Sequence, residues 1–181
     1  MRRKAKAINF GILYGMGVTA LKEGMGVERK EAQEFYDQYK ATFVRLMEYL
    51  EEVKAYAWKY GYTVTLLGRR REVPLLKSPL PFLRAQGERI ALNAPIQGTS
   101  ADILKLAILD ADDYIKQNKL EDKVKLAVQI NDELVFEIDK AVAESVADEL
   151  VKVLENVLEK RGLSKLPLTV SRTLGANLQA I

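Results

Sequence analysis

The sequence contains no cysteine and no histidine. Without cysteine, neither disulfide bonds nor thiolate metal sites can stabilise the fold, and a bound metal must rest on oxygen ligands, which favours Mg²⁺ or Mn²⁺. No apolar run approaches the roughly 18 residues of a membrane span. The basic start of the chain leads into Asn9 and Gly11 rather than into the apolar region of a signal peptide. We therefore expect a soluble, cytoplasmic protein with no membrane partner.

Apolar residues are abundant and charge is distributed unevenly. They make up 48% of the 181 residues, enough for a core in one large domain or two small ones. Residues 1–100 contain 17 Lys/Arg against 10 Asp/Glu, whereas residues 101–181 contain 11 against 15. A basic first part suits a polyanionic partner and an acidic second part suits a cation site, although solvated surface charge explains most such imbalances.

The first 61 residues have helical periodicity. Apolar spacing predicts helices over residues 1–14, 27–39 and 43–60, with a glycine cluster after the first helix and Gly61 as the stop of the third. Residues 62–67 then show a strand-like period, and a proline-bearing loop follows. We therefore place a subdomain boundary near Gly61.

The second part alternates between helix and strand. Residues 84–118 predict a helix that Pro95 and Gly98 must bend or break. Residues 125–138 predict a hairpin with Asn131 and Asp132 in the turn. In this hairpin, we expect Leu126, Val128 and Ile130 to face the same way as Leu134, Phe136 and Ile138. Asp139 is predicted to cap a helix over residues 140–160 that Gly162 ends. Residues 166–173 are predicted to form a last strand.

One edge of the first predicted helix combines cations and rings. Arg2, Lys6, Phe10 and Tyr14 fall along it, opposite the aliphatic face. Cations that neutralise phosphate oxygens, beside flat rings that meet sugar and base, suit a nucleoside triphosphate. The alternative is a solvated basic face whose aromatic residues belong to the core. Spacing alone does not decide between them.

The tip of the predicted hairpin carries two adjacent acids, Asp132 and Glu133. A tight turn fixes a carboxylate well, and hard oxygen ligands suit the divalent ions of nucleotidyl transfer. The alternative interpretation is that these polar residues supply turn propensity only.

Two segments resemble motifs of family A DNA polymerases, the bacterial DNA polymerase I group. Residues 2–15 (RRKAKAINFGILYG) closely resemble motif B, the fingers helix, and residues 129–137 (QINDELVFE) resemble motif C, whose usual form is Gln-Val-His-Asp-Glu. The resemblance implies that Arg2 and Lys6 bind the triphosphate, with Lys6 catalytic, that Phe10 lies against the sugar and that Tyr14 stacks near the templating base. Fixed cations of this kind stabilise charge that spreads over phosphate oxygens.

Motif C implies catalytic and metal-binding roles at the hairpin. Asp132 would be the Mg²⁺ or Mn²⁺ ligand and Glu133 would support the metal and primer region. The chain departs from the family at Asn131, where histidine is usual. Asparagine can donate a hydrogen bond toward the primer end, but it does not titrate near neutral pH.

Two further segments resemble the DNA-contacting parts of the family. Residues 84–102 resemble a segment that lines the minor groove, which implies that Arg89, Asn93 and Gln97 face the primer-template. Their i, i+4, i+8 spacing puts them on one helical face, although such polar stripes are usually only solvated. Residues 65–71 (TLLGRRR) imply that Arg69 and Arg70 contact backbone phosphates.

The resemblance covers essentially the whole chain and implies an α+β fold. A helical fingers subdomain (residues 1–60) would pack beside a palm subdomain (residues 61–181) with a small antiparallel sheet and flanking helices. The implied function is template-directed DNA synthesis in replication and repair, by addition of deoxynucleoside triphosphates to a primer 3′ end on primer-template DNA.

Motif A, the family's Asp-x-Ser-x-x-Glu-Leu-Arg strand with the other metal-binding aspartate, has no counterpart in the sequence. We therefore expect the chain to need an upstream polymerase segment carrying motif A and the thumb, and to be inactive alone. Two other readings stay open, a non-catalytic nucleic-acid-binding module and a folded but inactive remnant. Whether the source is bacterial, viral or organellar stays open too.

Overall fold

The structure, a computed structural model, describes residues 2–163 and 166–180. Within them, six α-helices and two antiparallel two-stranded sheets form the predicted α+β fold. The chain divides into two compact units, residues 1–99 and 100–181. The predicted subdomain boundary near Gly61 remains a prediction. The elements are α1 (Arg2–Leu13), α2 (Val18–Met25), α3 (Arg29–Thr42), α4 (Val44–Tyr60), β1 (Tyr62–Val64), β2 (Arg70–Glu72), α5 (Pro81–Gln117), β3 (Val124–Ile130), β4 (Glu133–Ile138) and α6 (Ala143–Glu155).

The first three helices share one core. It contains Ile12 of α1, Leu21 of α2, and Ala32 and Tyr39 of α3. The Tyr39 hydroxyl donates a hydrogen bond to Asn9 Oδ1, and burial raises the pKa of Tyr39. Helix α2 was not predicted, because the glycines around it indicated a loose segment. It forms nevertheless, since the side chain of Leu21 is fully buried.

The end of α4 leads into a short hairpin. Gly61 ends the helix as predicted, in the left-handed conformation at φ 79°. Strand β1 then pairs with β2 in the register Tyr62↔Glu72, Thr63↔Arg71, Val64↔Arg70. The strand predicted over residues 62–67 is therefore shorter, because a turn at Gly68 reverses the chain (φ 87°).

Helix α5 runs without interruption through Pro95, so the break that proline and glycine allowed does not occur. Proline removes one backbone donor from a helix. Here the Thr99 hydroxyl donates to the Pro95 carbonyl and accepts from the Leu66 amide. Pro95 is itself buried, and so are Ala91 and Leu92 one turn earlier. Tertiary packing of this segment offsets the lost backbone bond.

The second unit contains the β3–β4 hairpin, which turns at Asn131 and Asp132 as predicted. The predicted facing of its side chains is wrong. An irregularity between Leu126 and Val128 shifts the register, so that Leu126 lies opposite Phe136 but Val128 lies opposite Val135. Because of this bulge, the β3 residues after Leu126 lie opposite β4 residues one position away from those that regular alternation would give them. Val128 and Ile130 therefore do not share a face with Leu134 and Phe136.

Helix α6 begins at Ala143, later than the predicted start at residue 140. Asp139 Oδ1 accepts from the Ala141 amide and so closes a turn before the helix instead of capping it. Val146 and Leu150 of α6 are buried beside Ala111 and Ile115 of α5 and Val124 of β3. The prediction that Gly162 ends this helix is wrong, because α6 ends at Glu155 and Gly162 (φ 71°) ends a separate 3₁₀ turn, Glu159–Arg161.

Residues 166–173 all lie in the described part of the chain and were predicted to form a last strand. This prediction is wrong, because they form no strand and pair with none of the four strands. The segment instead bonds to α6 through side chains. The Val170 amide donates to Glu155, and Arg172 bonds to Glu144 and Asp148. None of the described helices has the length and apolarity that crossing a membrane requires.

Candidate functional site

The edge of α1 brings together three of the four residues predicted to bind a nucleotide. Lys6 Nζ lies 5.7 Å from the centroid of the Phe10 ring, and the Phe10 and Tyr14 ring centroids are 6.0 Å apart with 23° between their planes. Phe10 is 42% exposed, so part of this residue remains accessible to a ligand. Arg2 lies at the start of α1, and its side chain is outside the described part of the structure.

Gly15 lets the end of this edge approach α5 closely. Its φ is 85°, and a Cβ there would lie 3.3 Å from Leu92 Cδ1 and 3.4 Å from Arg89 Cγ. Any other residue would combine backbone strain with a tight contact. Gly15, the residue after Tyr14, therefore lies directly beside Arg89.

A cavity of about 350 Å³ is lined by three of the six residues predicted to contact DNA, whereas Arg70, Arg89 and Asn131 are not part of its lining. Arg69 comes from the β1–β2 turn, whereas Asn93 and Gln97 come from α5. The turn is fixed by two bonds, because the Arg69 amide donates to Thr65 Oγ1 and Arg69 Nη2 donates to the Gly98 carbonyl at 3.0 Å. The full lining is Thr65, Arg69, Arg71, Ile90, Asn93, Ala94, Gln97 and Gly98.

Asn93 contributes an unsatisfied acceptor to this cavity. Its Oδ1 atom is buried and has no hydrogen-bond partner among the described residues. An unsatisfied buried polar atom costs roughly 1–3 kcal/mol, which a ligand that donates a hydrogen bond would recover. The cavity is therefore suited to a ligand with both anionic groups and hydrogen-bond donors.

The three arginines at residues 69–71 do not share one direction. Side chains alternate between the two faces of a strand. Arg71 lines the cavity together with Arg69, whereas the Arg70 guanidinium lies 4.7 Å from the centroid of the Tyr62 ring. Sequence reasoning named Arg70 and missed Arg71. If β2 had been recognised as a strand, the alternation of its side chains would have placed Arg71 on the same side as Arg69.

The hairpin tip of the second unit presents three predicted site residues. Asn131, Asp132 and Glu133 are all exposed. Asn131 has φ 53°, and its carbonyl accepts from Gln129 Nε2 at 3.1 Å. The two carboxylates are hard donors of the chemistry that Mg²⁺ or Mn²⁺ prefers. In residues 2–163 and 166–180, however, no three acidic side chains gather where they could hold a metal ion, so the donors fit in kind and fall short in number.

The motif pattern and the fold agree with a known family. The profile that describes DNA polymerase family A matches residues 1–180. The chain belongs to DNA polymerase family A. The resemblance inferred from motifs B and C is thereby confirmed, whereas the roles of individual residues stay predictions.

Curated relatives in this family are named DNA polymerase I. The chain is 41% identical over 158 residues to that of Bacillus subtilis (87% of this chain, 18% of the relative). It is 39% identical over 176 residues to that of Pseudomonas aeruginosa (97% and 19%). It is 37% identical over 177 residues to that of Rhizobium leguminosarum (98% and 17%). The chain thus spans about a fifth of the length of these DNA polymerase I relatives.

A solved family A structure is also similar. It is the POL domain of Pol1 from M. smegmatis in complex with DNA primer-template and dNTP, with a TM-score of 0.80 and 36% sequence identity. The match covers 86% of this chain and 27% of that chain. The helix-rich fold with two small antiparallel sheets is therefore a polymerase-domain fold.

Proposed function

We propose that this chain is the nucleotide- and DNA-binding part of a template-directed DNA polymerase that adds deoxynucleoside triphosphates to a primer 3′ end. The observation that carries the proposal is the convergence of Arg69, Asn93 and Gln97 on one cavity from segments far apart in sequence. The relatives named DNA polymerase I are about five times as long as this chain, so their activity is transferred to it as a proposal only.

The α1 edge binds the incoming nucleotide in this proposal. Lys6, together with Arg2, neutralises phosphate oxygens, and the exposed ring of Phe10 meets the sugar. Tyr14 stacks near the templating base. Supporting this, Lys6 stands over Phe10 and the Phe10 and Tyr14 rings are nearly parallel. A fixed cation at a transferring phosphoryl group lowers the barrier without reorganisation during the reaction.

The cavity beside α5 contacts the primer-template duplex. Arg69 meets backbone phosphates, and Arg89, Asn93 and Gln97 read the minor groove. Every correct base pair presents acceptors there, and guanine adds an amino donor. The buried, unsatisfied Oδ1 of Asn93 is matched by such a donor. Asn131 at the hairpin tip contacts the primer end.

Asp132 is the proposed metal ligand, with Glu133 in support. Bound Mg²⁺ or Mn²⁺ would activate the primer 3′-hydroxyl and stabilise the pyrophosphate leaving group in two-metal nucleotidyl transfer. Since the described residues supply too few carboxylates, the remaining ligands come from a second segment that carries motif A. The chain without that segment is therefore inactive.

A primer-extension assay tests the proposal. The chain alone, the chain with a separately expressed motif A and thumb segment, and the same mixture with Asp132→Asn are compared in Mg²⁺. We expect no extension by the chain alone, extension by the mixture, and a loss of at least about 100-fold with Asp132→Asn. Robust synthesis by the chain alone, or full activity of the variant, would contradict the proposal.

A non-catalytic DNA-binding module is the second candidate, favoured because the cavity beside α5 needs no metal to bind phosphate. Nucleotide binding distinguishes the two. A polymerase part binds the Mg²⁺ complex of a deoxynucleoside triphosphate, and the Lys6→Gln substitution abolishes this binding. A DNA-binding module does not bind the nucleotide. Lys30→Gln, on an exposed face of α3, is the matched control. A cooperatively folded chain that binds neither ligand would indicate an inactive remnant.

A further inference from the structure

Three tyrosines form a continuous ring cluster at the junction of α4 and β1. We call Tyr56, Tyr60 and Tyr62 the tyrosine patch. The ring centroids of Tyr56 and Tyr60 are 4.5 Å apart, and those of Tyr56 and Tyr62 are 5.7 Å apart. Tyr56 and Tyr60 are nevertheless 38% and 49% exposed. Rings that pack on one another and still face solvent offer a ready stacking surface.

Two cations border the tyrosine patch. The Arg70 guanidinium lies 4.7 Å from the Tyr62 centroid, and Lys59 Nζ lies 5.0 Å from the Tyr60 centroid. Neither makes an ion pair with any residue that the structure describes, in contrast to Lys54 one turn earlier, which pairs with Glu51 and Glu88. Their charges are therefore available to an anionic ligand.

A second cavity, of about 360 Å³, adjoins the tyrosine patch. Its lining is Tyr49, Glu52, Val53, Tyr56, Thr63 and Val64. Its walls are aromatic and apolar apart from Thr63 and Glu52, and the Glu52 carboxylate accepts a hydrogen bond from Arg45 at 3.0 Å. Such walls suit a flat ring.

We propose that the tyrosine patch and this cavity bind single-stranded nucleic acid. Successive bases stack on Tyr56 and Tyr60, the adjacent phosphates lie near Lys59 and Arg70, and one base enters the cavity between Tyr49 and Tyr56. Aromatic platforms beside cations are the chemistry by which proteins bind single strands without sequence preference. A duplex does not offer its base faces in this way, because they are stacked inside it.

This surface is distinct from the duplex-binding cavity proposed above. Arg70 points to the tyrosine patch, while Arg69 and Arg71 line the other cavity. The inference therefore goes beyond the proposed polymerase function and does not need catalysis. It assigns a place for an unpaired strand on the opposite face of β2.

Fluorescence anisotropy with the full chain tests the inference. The probes are a labelled single-stranded DNA of about 12 nucleotides and an abasic strand of the same length. We expect Tyr60→Ala to weaken binding of the single-stranded DNA at least about 5-fold, and Tyr60→Phe to change it less than about 2-fold. Lys59→Gln should weaken both probes and reduce the logarithmic salt slope by about 0.7.

Matched controls are Phe82→Ala, an exposed ring outside the cluster, and Lys30→Gln, an exposed cation on α3. Both should bind like the wild type, and far-UV circular dichroism verifies that every variant is folded. Equal binding of the abasic strand by the wild type, or unchanged binding by Tyr60→Ala, would overturn the inference. Both results would indicate a merely electrostatic surface, or one that serves a protein partner.

The two proposals fail separately. Gln97→Ala should weaken primer-template duplex binding and leave the single strand unaffected, whereas Tyr60→Ala should do the opposite. Loss of duplex binding by Tyr60→Ala, with no effect on the single strand, would show that the tyrosine patch belongs to the duplex site and would also overturn the inference.

Discussion

Asn131 occupies a backbone conformation that few residues tolerate. Its φ of 53° lies in the left-handed region, where a Cβ crowds the following carbonyl oxygen. Asparagine, aspartate and histidine are the non-glycine residues enriched there. The family's usual histidine and the asparagine of this chain thus share the property that the turn demands. The substitution changes the chemistry of the tip but preserves its geometry.

Variants of Asn131 test this reasoning at the level of one residue. Asn131→His should change the free energy of unfolding by less than about 0.5 kcal/mol, and Asn131→Val should lower it by about 1–2 kcal/mol, because a β-branched side chain is strained at positive φ. Urea denaturation followed by far-UV circular dichroism measures both. If valine were tolerated as well as histidine, left-handed strain would not govern the turn.

Asp110 forms a well-enclosed ion pair in the second unit. It is 7% exposed, and Arg161 Nη1 and Nη2 donate to its two oxygens at 2.8 and 3.0 Å. Arg161, and more weakly Lys160, hold the pKa of Asp110 below its ordinary value, although burial opposes them. A lowered pKa in the folded state means that the stabilisation is complete above the unfolded pKa and is lost as the pH falls through the folded pKa.

Asp110→Asn should therefore lower the free energy of unfolding by about 1–3 kcal/mol at pH 7, because an amide cannot accept both guanidinium bonds. The difference in the free energy of unfolding between Asp110→Asn and the wild type should narrow below about pH 4. Urea midpoints at pH 7 and pH 3 measure it. Asp112→Asn breaks an exposed pair with Lys116 and should cost less than about 1 kcal/mol at either pH. A pH-independent gap for Asp110→Asn would assign the effect to packing alone.

Close packing of α5 on the β1–β2 hairpin depends on Gly98. A Cβ at this position would lie 2.7 Å from Thr65 Cγ2 and 3.3 Å from Arg69 Nη2. Gly98→Ala should lower the free energy of unfolding by about 1–3 kcal/mol, even though alanine favours helix. Denaturation followed by the fluorescence of Trp58, the single tryptophan, reports on this unit.

Two companion variants separate the steric clash from helix propensity. Gly24→Ala in α2, where a Cβ meets nothing within 4 Å, should raise stability by about 0.5–1 kcal/mol. Thr65→Ser removes the clashing methyl group and keeps the oxygen that accepts from the Arg69 amide. Combined with Gly98→Ala, it should recover at least half of the loss. Strictly additive effects would show that the two residues do not touch.

Local signals predicted some elements and missed others. The Gly61 helix end and the Asn131–Asp132 turn were found, because each rests on a short-range backbone preference. Helix α2 and the uninterrupted course of α5 through Pro95 were not, because burial decides both. The predicted last strand failed for a similar reason, since a strand requires a partner that sequence does not reveal.

The candidate site was predicted by kind of residue more than by direction. Helical spacing placed Lys6, Phe10 and Tyr14 on one edge, as found. The arginine triplet was treated as a single basic cluster, and only the pairing of β2 with β1 separates Arg71 from Arg70. The cavity itself depends on the fold of the chain back onto α5, which no local pattern encodes.

At the scale of the whole molecule, the absence of histidine and cysteine limits the response to pH. No side chain has an ordinary pKa between about 5 and 8. Primer-template affinity at constant ionic strength should therefore change less than about 2-fold between pH 6 and pH 8, as anisotropy would show. Asn131→His should bind more tightly at pH 6 than at pH 8, since imidazolium adds a positive charge. A steep pH dependence in the wild type would require a strongly perturbed carboxylate or amine.

The β1–β2 ladder is only three residue pairs long, yet it decides which arginine serves which surface. Slippage by one residue would turn every side chain to the reverse side of the ribbon. Arg70 would then enter the duplex cavity, while Arg69 and Arg71 would meet the tyrosines. The hydrogen bonds from the Arg69 amide to Thr65 and from the Leu66 amide to Thr99 hold the strands in the observed register. An insertion or deletion in this short ribbon would change the directions of Arg70 and Arg71 at once, and with them both of the proposed nucleic-acid contacts.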